Sequence, residues 1–304
     1  MSTQPSIVNE ELDLEAGLEA SLHEVGPGRS LGADAWRRFK RNRLAMLGLV
    51  LVAFLVVVSL VGPLLVQDPL HQGPIPRERP TNQHWMGTDR LGRDVMARVV
   101  YGMRLSLMIG LIVTAVESLI GIGVGAIAGW FRGWPDTVLM RFVDILLGIP
   151  YLVLALVMVS IIGKGVPAVI ITLAITAWLQ TARTVRAGIL GVRDLEYIEA
   201  ARAVGVPTRR IISRHVMPNV LQPVVVLAAV GIGSAILAEA ALSFLGVGVK
   251  APAPSLGLMI AESQTYFSTA PWLLIFPGFA LVLTVLGFLL MGDGLRDALD
   301  VKDT

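Results

Sequence analysis

The 304-residue chain has no cysteine, only four histidines, and just 16% of its residues are charged. Without cysteine there is neither a disulfide framework nor a thiolate metal site. His23, His71, His84 and His215 do not fall at HxxxH or HExxH spacing, so no metal site is expected and each reads as a solvated or structural histidine. The formal net charge is +2, and the basic residues form no face of the kind that nucleic acid requires, so nucleic acid is not an expected partner. Lys40, Lys164, Lys250 and Lys302 are equally uninformative as phosphate ligands. Gly163-Lys164-Gly165 comes closest to a phosphate loop but lacks the Ser or Thr after the lysine, so the chain is not expected to hydrolyse ATP itself.

What is abundant is apolar sequence, 54% of residues, and it is clumped rather than periodic. A soluble domain usually carries about a quarter charged residues, well above the level seen here. The stretches 44–66 and 273–291 contain no charge at all. Apolar runs of about 18 residues or more point to membrane-spanning helices. We place spans at about 44–66, 105–129, 137–162, 166–182, 219–246 and 272–291, an all-α polytopic fold in contact with membrane lipid. The first run begins too late for a cleavable signal peptide and has no small-x-small site, so it reads as a retained first span.

Four segments follow from this division. Residues 1–35 are polar and acidic (Glu10, Glu11, Asp13, Glu15, Glu19, Glu24) and are expected to form a disordered cytoplasmic tail. Residues 36–66 hold a basic cluster (Arg37, Arg38, Lys40, Arg41, Arg43) and the first span. Residues 67–104 form a loop on the opposite side, with an amphipathic stretch from Asp94 to Met103 expected to lie as an interfacial helix. Residues 105–304 form a five-helix core interrupted by an arginine-rich loop at 183–218. The basic cluster and that loop place both termini in the cytoplasm by the positive-inside rule. Arg77, Arg79, Arg90, Arg93, Arg98 and Arg104 in the outer loop run against it.

Gly121, Gly125 and Gly129 make two overlapping GxxxG repeats, a spacing that lets helix backbones approach closely. Pro150 is expected to kink the third span. Glu117, Arg141, Asp144 and Glu239 fall in or near spans, where a charge costs about 2.5–3.5 kcal/mol on insertion scales. They line a pathway or pair structurally, as Arg141 and Asp144 would at a separation of three residues. For Glu117 and Glu239 both readings stay open.

Residues 194–220, DLEYIEAARAVGVPTRRIISRHVMPNV, read as helix, turn, helix. Tyr197, Ala201 and Val204 share one expected face; Arg193, Glu196, Glu199 and Arg202 share another. Gly205 is placed to end the first helix in a left-handed conformation, with Pro207 just beyond. Glu199-Ala200-Ala201, Gly205 and Met217-Pro218 resemble the EAA loop of permease subunits in ABC importers, with His215 and Met217 where the general pattern has Ile and Leu. The version RRIISRHVMPN resembles that of the dipeptide/oligopeptide/nickel family. HWMGTDRLGRD (84–94), EAALSFLG (239–246) and GDGLRDALD (292–300) are similar to further signatures of that family; Val301 stands in place of Pro, Leu256 where Trp is common and Leu289 where Asn is common. The resemblance covers about residues 36–301, and the layout with RRFKRNR before the first span is that of the C-type subunit.

The resemblance implies a type I ABC importer permease fold in the cytoplasmic (inner) membrane of a prokaryote. It implies a second homologous permease, two ATP-binding subunits that hold ATP and magnesium, and an extracytoplasmic substrate-binding protein. It makes residues 195–207 the coupling helix, with Glu199, Ala200, Ala201, Gly205 and Pro218 as the coupling residues and no catalytic residue on this chain. Di- and oligopeptides are the expected substrate, with nickel or another small solute the alternative. A secondary transporter would use the intramembrane acids but leave the EAA-like loop unexplained.

Overall fold

The computed structural model describes residues 31–300. Helix α1 (Leu31–Arg41) turns at Asn42 into α2 (Arg43–Leu65), and the Asn42 side chain accepts hydrogen bonds from the amides of Leu44 and Ala45. This cap lets the two helices meet at one residue by satisfying two of the amides a helix start leaves free. A loop over 66–94 leads to α3 (Val95–Trp130). The next two helices are α4 (Trp134–Leu147) and α5 (Tyr151–Ile162), followed by α6 (Val166–Val192) and α7 (Glu196–Ala203). Helix α8 (Thr208–Ile211) runs through a π-turn (Ile212–Val216) into α9 (Met217–Phe244). The chain finishes with α10 (Leu256–Ser263) and α11 (Trp272–Leu299).

Five of these helical stretches are long and apolar enough to cross a membrane: α2, α3, α6, the Thr208–Phe244 run and α11. The bent pair α4–α5 adds a sixth, broken by 95°. That it crosses follows from its contacts with α6. Asp136, at the start of α4, bonds Arg186 near one end of α6, whereas Val159 of α5 packs with Val169 near the other. The break falls at Gly148 to Pro150, where Pro150 precedes the first residue of α5. The expected kink is therefore a full break, because proline disfavours helical geometry in the residue before it and the glycine beside that residue resists helix as well.

Several expected boundaries are corrected. Residues 31–35 belong to α1; the rest of the expected tail, 1–30, lies outside the described residues, as do 301–304. The stretch from Asp94 to Met103 is not a separate interfacial helix. Asp94 caps α3, its carboxylate accepting from the Ala97 amide at 2.8 Å, and Val95, Val99, Val100 and Met103 are buried in protein contacts. An amphipathic face can lie on a membrane or on a protein, and here α2, α10 and α11 supply the protein. The 183–218 loop is mostly helix, since α6 continues to Val192 and the next span starts at Thr208; only 193–207 stands apart from them. Arginines thus sit on helix ends that extend beyond the apolar stretch.

The glycine repeat sets the central packing, α3 against α6. A Cβ on Gly121 would lie 2.6 Å from Thr181 Cβ, one on Gly125 2.5 Å from the Ala182 carbonyl, and one on Gly129 2.8 Å from Ile189 Cβ. Gly123, off this stripe, faces open space. Between apolar helices in lipid, close van der Waals packing is the main attraction, and missing side chains permit it. Helices α2 and α11 meet in the same way at Gly48, whose Cβ would lie 2.6 Å from the Met291 amide.

Candidate functional site

Helix α7 forms an elbow between α6 and the Thr208–Phe244 helix, at the end of the bundle that also carries α1. Ile198 is fully buried against Ile189, Ile211 and Val216, with Ala201 packed beside it. Arg202 places its guanidinium 4.8 Å from the Trp130 ring centre. Arg132 bonds both carboxylate oxygens of Asp194 at 2.7 Å, and Arg193 reaches the Gly129 carbonyl at 2.5 Å. The base of the elbow is thus tied to the last turn of α3 and to two spans.

Gly205 closes α7 with φ +83°. Its amide donates to the Arg202 carbonyl at 3.0 Å, and the Val206 amide donates to the Ala201 carbonyl at 3.0 Å. This pair of bonds is a Schellman closure, which requires the left-handed residue that glycine supplies at no steric cost. Further on, Pro218 has no amide for an i→i−4 bond, and the chain ahead of it widens into the π-turn, with the Met217 amide donating to Ile212. Asn219 donates to the His215 carbonyl at 2.8 Å, satisfying an acceptor in that turn.

The expected division of α7 into faces is corrected. The inward face is Ile198 with Ala201. Tyr197 is 46% exposed, with its ring 6.5 Å from that of His215, Val204 is 84% exposed, and Ala200 is exposed as well. Eight residues offer apolar side chains on two sides, and only the buried pocket of Ile211 and Val216 selects which side turns in. Glu199 is exposed in the first turn of α7, where a carboxylate is favoured by the helix dipole.

The intramembrane acids separate into three environments. Glu239 of α9 is completely buried and accepts from the hydroxyls of Ser106 (2.9 Å), Ser243 (2.8 Å) and Ser255 (2.8 Å). It ties α3, α9 and the start of α10 together. Asp144 pairs with Arg183 of α6 rather than with Arg141, because the break after α4 lays that helix across α6. Glu117 of α3 lines a cavity of about 340 Å³ together with Tyr151, Thr176, Gln180 and Ser234.

A further cluster escaped the sequence reading. Asp89, in the 66–94 loop, holds Arg93 at 2.7 Å and Arg98 of α3 in a short ion pair. Glu262 of α10 lies 3.8 Å from Arg93 and 3.6 Å from Arg98. Asp94 also bonds His84 Nδ1 at 2.8 Å, and Thr88 donates to the Ile75 carbonyl at 2.7 Å while accepting from the Glu78 amide. The signal was the HWMGTDRLGRD string itself, whose polar residues are mostly engaged with one another.

Residues 121–302 match the family described as binding-protein-dependent transport system inner membrane component. The chain belongs to this family. It is a membrane permease subunit of the ABC importer type. Residues 30–84 of the permease match the N-terminal TM domain of oligopeptide transport permease C. It is 41% identical to the dipeptide transport system permease protein DppC of Alkalihalophilus pseudofirmus over 88% of this chain and 89% of that one. It is 39% identical to the oligopeptide transport system permease protein OppC of Haemophilus influenzae, over 91% and 90%. Its fold is similar to that of a chain in the inward-facing MetNI methionine ABC transporter, with TM-score 0.56 and 22% identity over 67% of this chain and 97% of that one. The six crossings and the elbow are thus elements of an importer permease.

Proposed function

We propose that this permease pairs with a second, homologous permease to form a pathway for di- and oligopeptides, and that α7 couples it to ATP hydrolysis. The observation that carries the coupling reading is the elbow. Its base is buried through Ile198, while Tyr197, Ala200 and Val204 present an exposed apolar face with Glu199 beside it. Such a face suits a groove on another protein, and a helix clamped to two spans transmits motion to both. ATP and magnesium belong to two ATP-binding partner subunits. Their closure moves α7, and the spans rock as rigid bodies between inward- and outward-open states.

The peptide reading rests on the relatives, which are named for dipeptide and oligopeptide transport. An extracytoplasmic binding protein delivers the peptide to the end of the bundle that carries the 66–94 loop and α10. Both termini then face the cytoplasm, in the inner membrane of a prokaryote. This orientation puts α1, with Arg37, Arg38, Lys40 and Arg41, on the cytoplasmic side, as the positive-inside rule requires. Of the outer arginines, Arg90, Arg93 and Arg98 lie in ion pairs with Asp89 and Glu262, which offsets part of the positive charge on that side.

Uptake of a labelled dipeptide, a tetrapeptide and nickel is measured in cells with and without this chain. Deletion is expected to abolish peptide uptake, and wild type but not Glu199→Arg to restore it, with both variants inserted equally. Lost nickel uptake with unchanged peptide uptake would reverse the substrate reading. Full transport by Glu199→Arg would remove Glu199 from the coupling contact.

A further inference from the structure

Glu117 is a buried acid of the bundle with nothing to hold. Glu239 has three hydroxyls, Asp144 has Arg183, and Asp136 has Arg186. Glu117 is only 7% exposed, yet no described residue donates a hydrogen bond to it or pairs with it as a cation. It sits about 13 residues, roughly 20 Å, from the Trp130 end of α3, well inside the span. The cavity it lines contains no basic residue.

A second orphan lies beside it. The Thr114 hydroxyl, one turn earlier on α3 and 3% exposed, is buried and without a hydrogen-bond partner. Both groups converge on the surface of Gly231 in α9. The point a Cβ on Gly231 would occupy is 2.9 Å from Glu117 Oε1 and 3.6 Å from Thr114 Oγ1. A buried carboxylate on a cavity wall, with no cation and no hydrogen bond from the described residues, suits a ligand that brings donors and positive charge. An ammonium group does both, with three donors and one charge. At about 340 Å³ the cavity is within the size range of small-molecule sites.

We propose that Glu117 forms a transient binding site for the α-ammonium group of the peptide in transit. The inference rests on the peptide reading above. Peptides of unrelated sequence share this group, which is largely charged at neutral pH (pKa about 7.7–8.0). One fixed carboxylate therefore recognises many substrates without reading their side chains. Thr176, Gln180 and Ser234 on the same cavity wall offer hydrogen bonds to a peptide backbone.

The test uses the complete transporter in proteoliposomes, with its second permease, ATP-binding subunits and binding protein, and labelled trialanine as the probe. Peptide uptake and ATP hydrolysis stimulated by the binding protein are measured together. Glu117→Gln is expected to lower uptake at least tenfold, with stimulated ATP hydrolysis within twofold of wild type, so that more ATP is spent per peptide. Glu117→Asp is expected to retain part of the uptake. The natural absence of cysteine adds a rescue: Glu117→Cys should regain uptake when labelled with an anionic alkylthiosulfonate reagent and stay blocked with a cationic one. Wild-type uptake by Glu117→Gln overturns the site alone. Equal loss of uptake, ATP hydrolysis and assembled complex in Glu117→Gln also overturns it, since that marks a structural acid. No trialanine uptake by the wild-type transporter overturns the peptide reading and this site with it.

Discussion

Asp89 and Arg98 form a buried ion pair between the 66–94 loop and the first turn of α3, with Arg98 only 2% exposed. The pair fixes the loop to the span, and Arg93 shares the same carboxylate at 2.7 Å. Removing one member of a buried pair leaves an uncompensated charge, at a cost of about 3–5 kcal/mol. Asp89→Asn is therefore expected to reduce the amount of folded permease in membranes strongly. Asp89→Asn combined with Arg98→Met should recover part of it. Protein level and thermal midpoint in detergent measure both, and a single variant as stable as wild type would refute a stabilising role for the pair.

The glycine stripe makes a prediction with an internal control. Gly125→Ala drives a methyl group to 2.5 Å from the Ala182 carbonyl, and overpacking of this kind costs about 1–3 kcal/mol. Gly123→Ala, two residues away, meets nothing within 4 Å. The first variant is expected to lower the thermal midpoint and the second to leave it unchanged or slightly raised. Equal effects from the two would show that helix propensity, and not the α3–α6 contact, governs this stretch.

Glu239 gives the opposite outcome to Glu117. Its carboxylate is the acceptor for three serine hydroxyls, and each buried group left unsatisfied costs about 1–3 kcal/mol. Glu239→Ala should lower stability and protein level along with uptake, while Ser106→Ala, which removes one donor, should be milder. Stable Glu239→Ala protein with lost transport would move this residue into the pathway.

Val204, on the outer face of the elbow, is 84% exposed, so a polar substitution has little effect on the fold, within about 0.5 kcal/mol. Val204→Asp is expected to insert and melt like wild type but to lose peptide uptake, because a charge enters the proposed groove of the ATP-binding subunit. Ile198→Asp, at the buried base, should instead destabilise the protein. Co-purification of the ATP-binding subunits with each variant separates a lost contact from a lost fold.

The number of crossings, the glycine stripe, the turn at Gly205 and the elbow itself were legible in the sequence. Each rests on local chemistry that a short stretch of residues decides: a charge-free run long enough for a bilayer, a spacing of four, a glycine where a left-handed residue must stand. Four motifs in order were enough to place the chain among importer permeases. The helix ends were not legible, because arginine-rich turns continue α6 to Val192 and start the next span at Thr208, beyond the apolar stretch that marks a span.

What only the tertiary structure decided is which neighbour each polar group finds. Sequence spacing pairs Asp144 with Arg141, whereas the 95° break between α4 and α5 delivers it to Arg183. Glu117 and Glu239 look alike in sequence, as single acids in apolar spans. One meets three hydroxyls brought from α3, from its own helix and from the start of α10; the other meets a cavity and an orphan threonine. Local composition determines that a segment enters the membrane, but the cost of a charge there depends on the groups that surround it, and those come from segments as distant in sequence as Ser106 and Glu239.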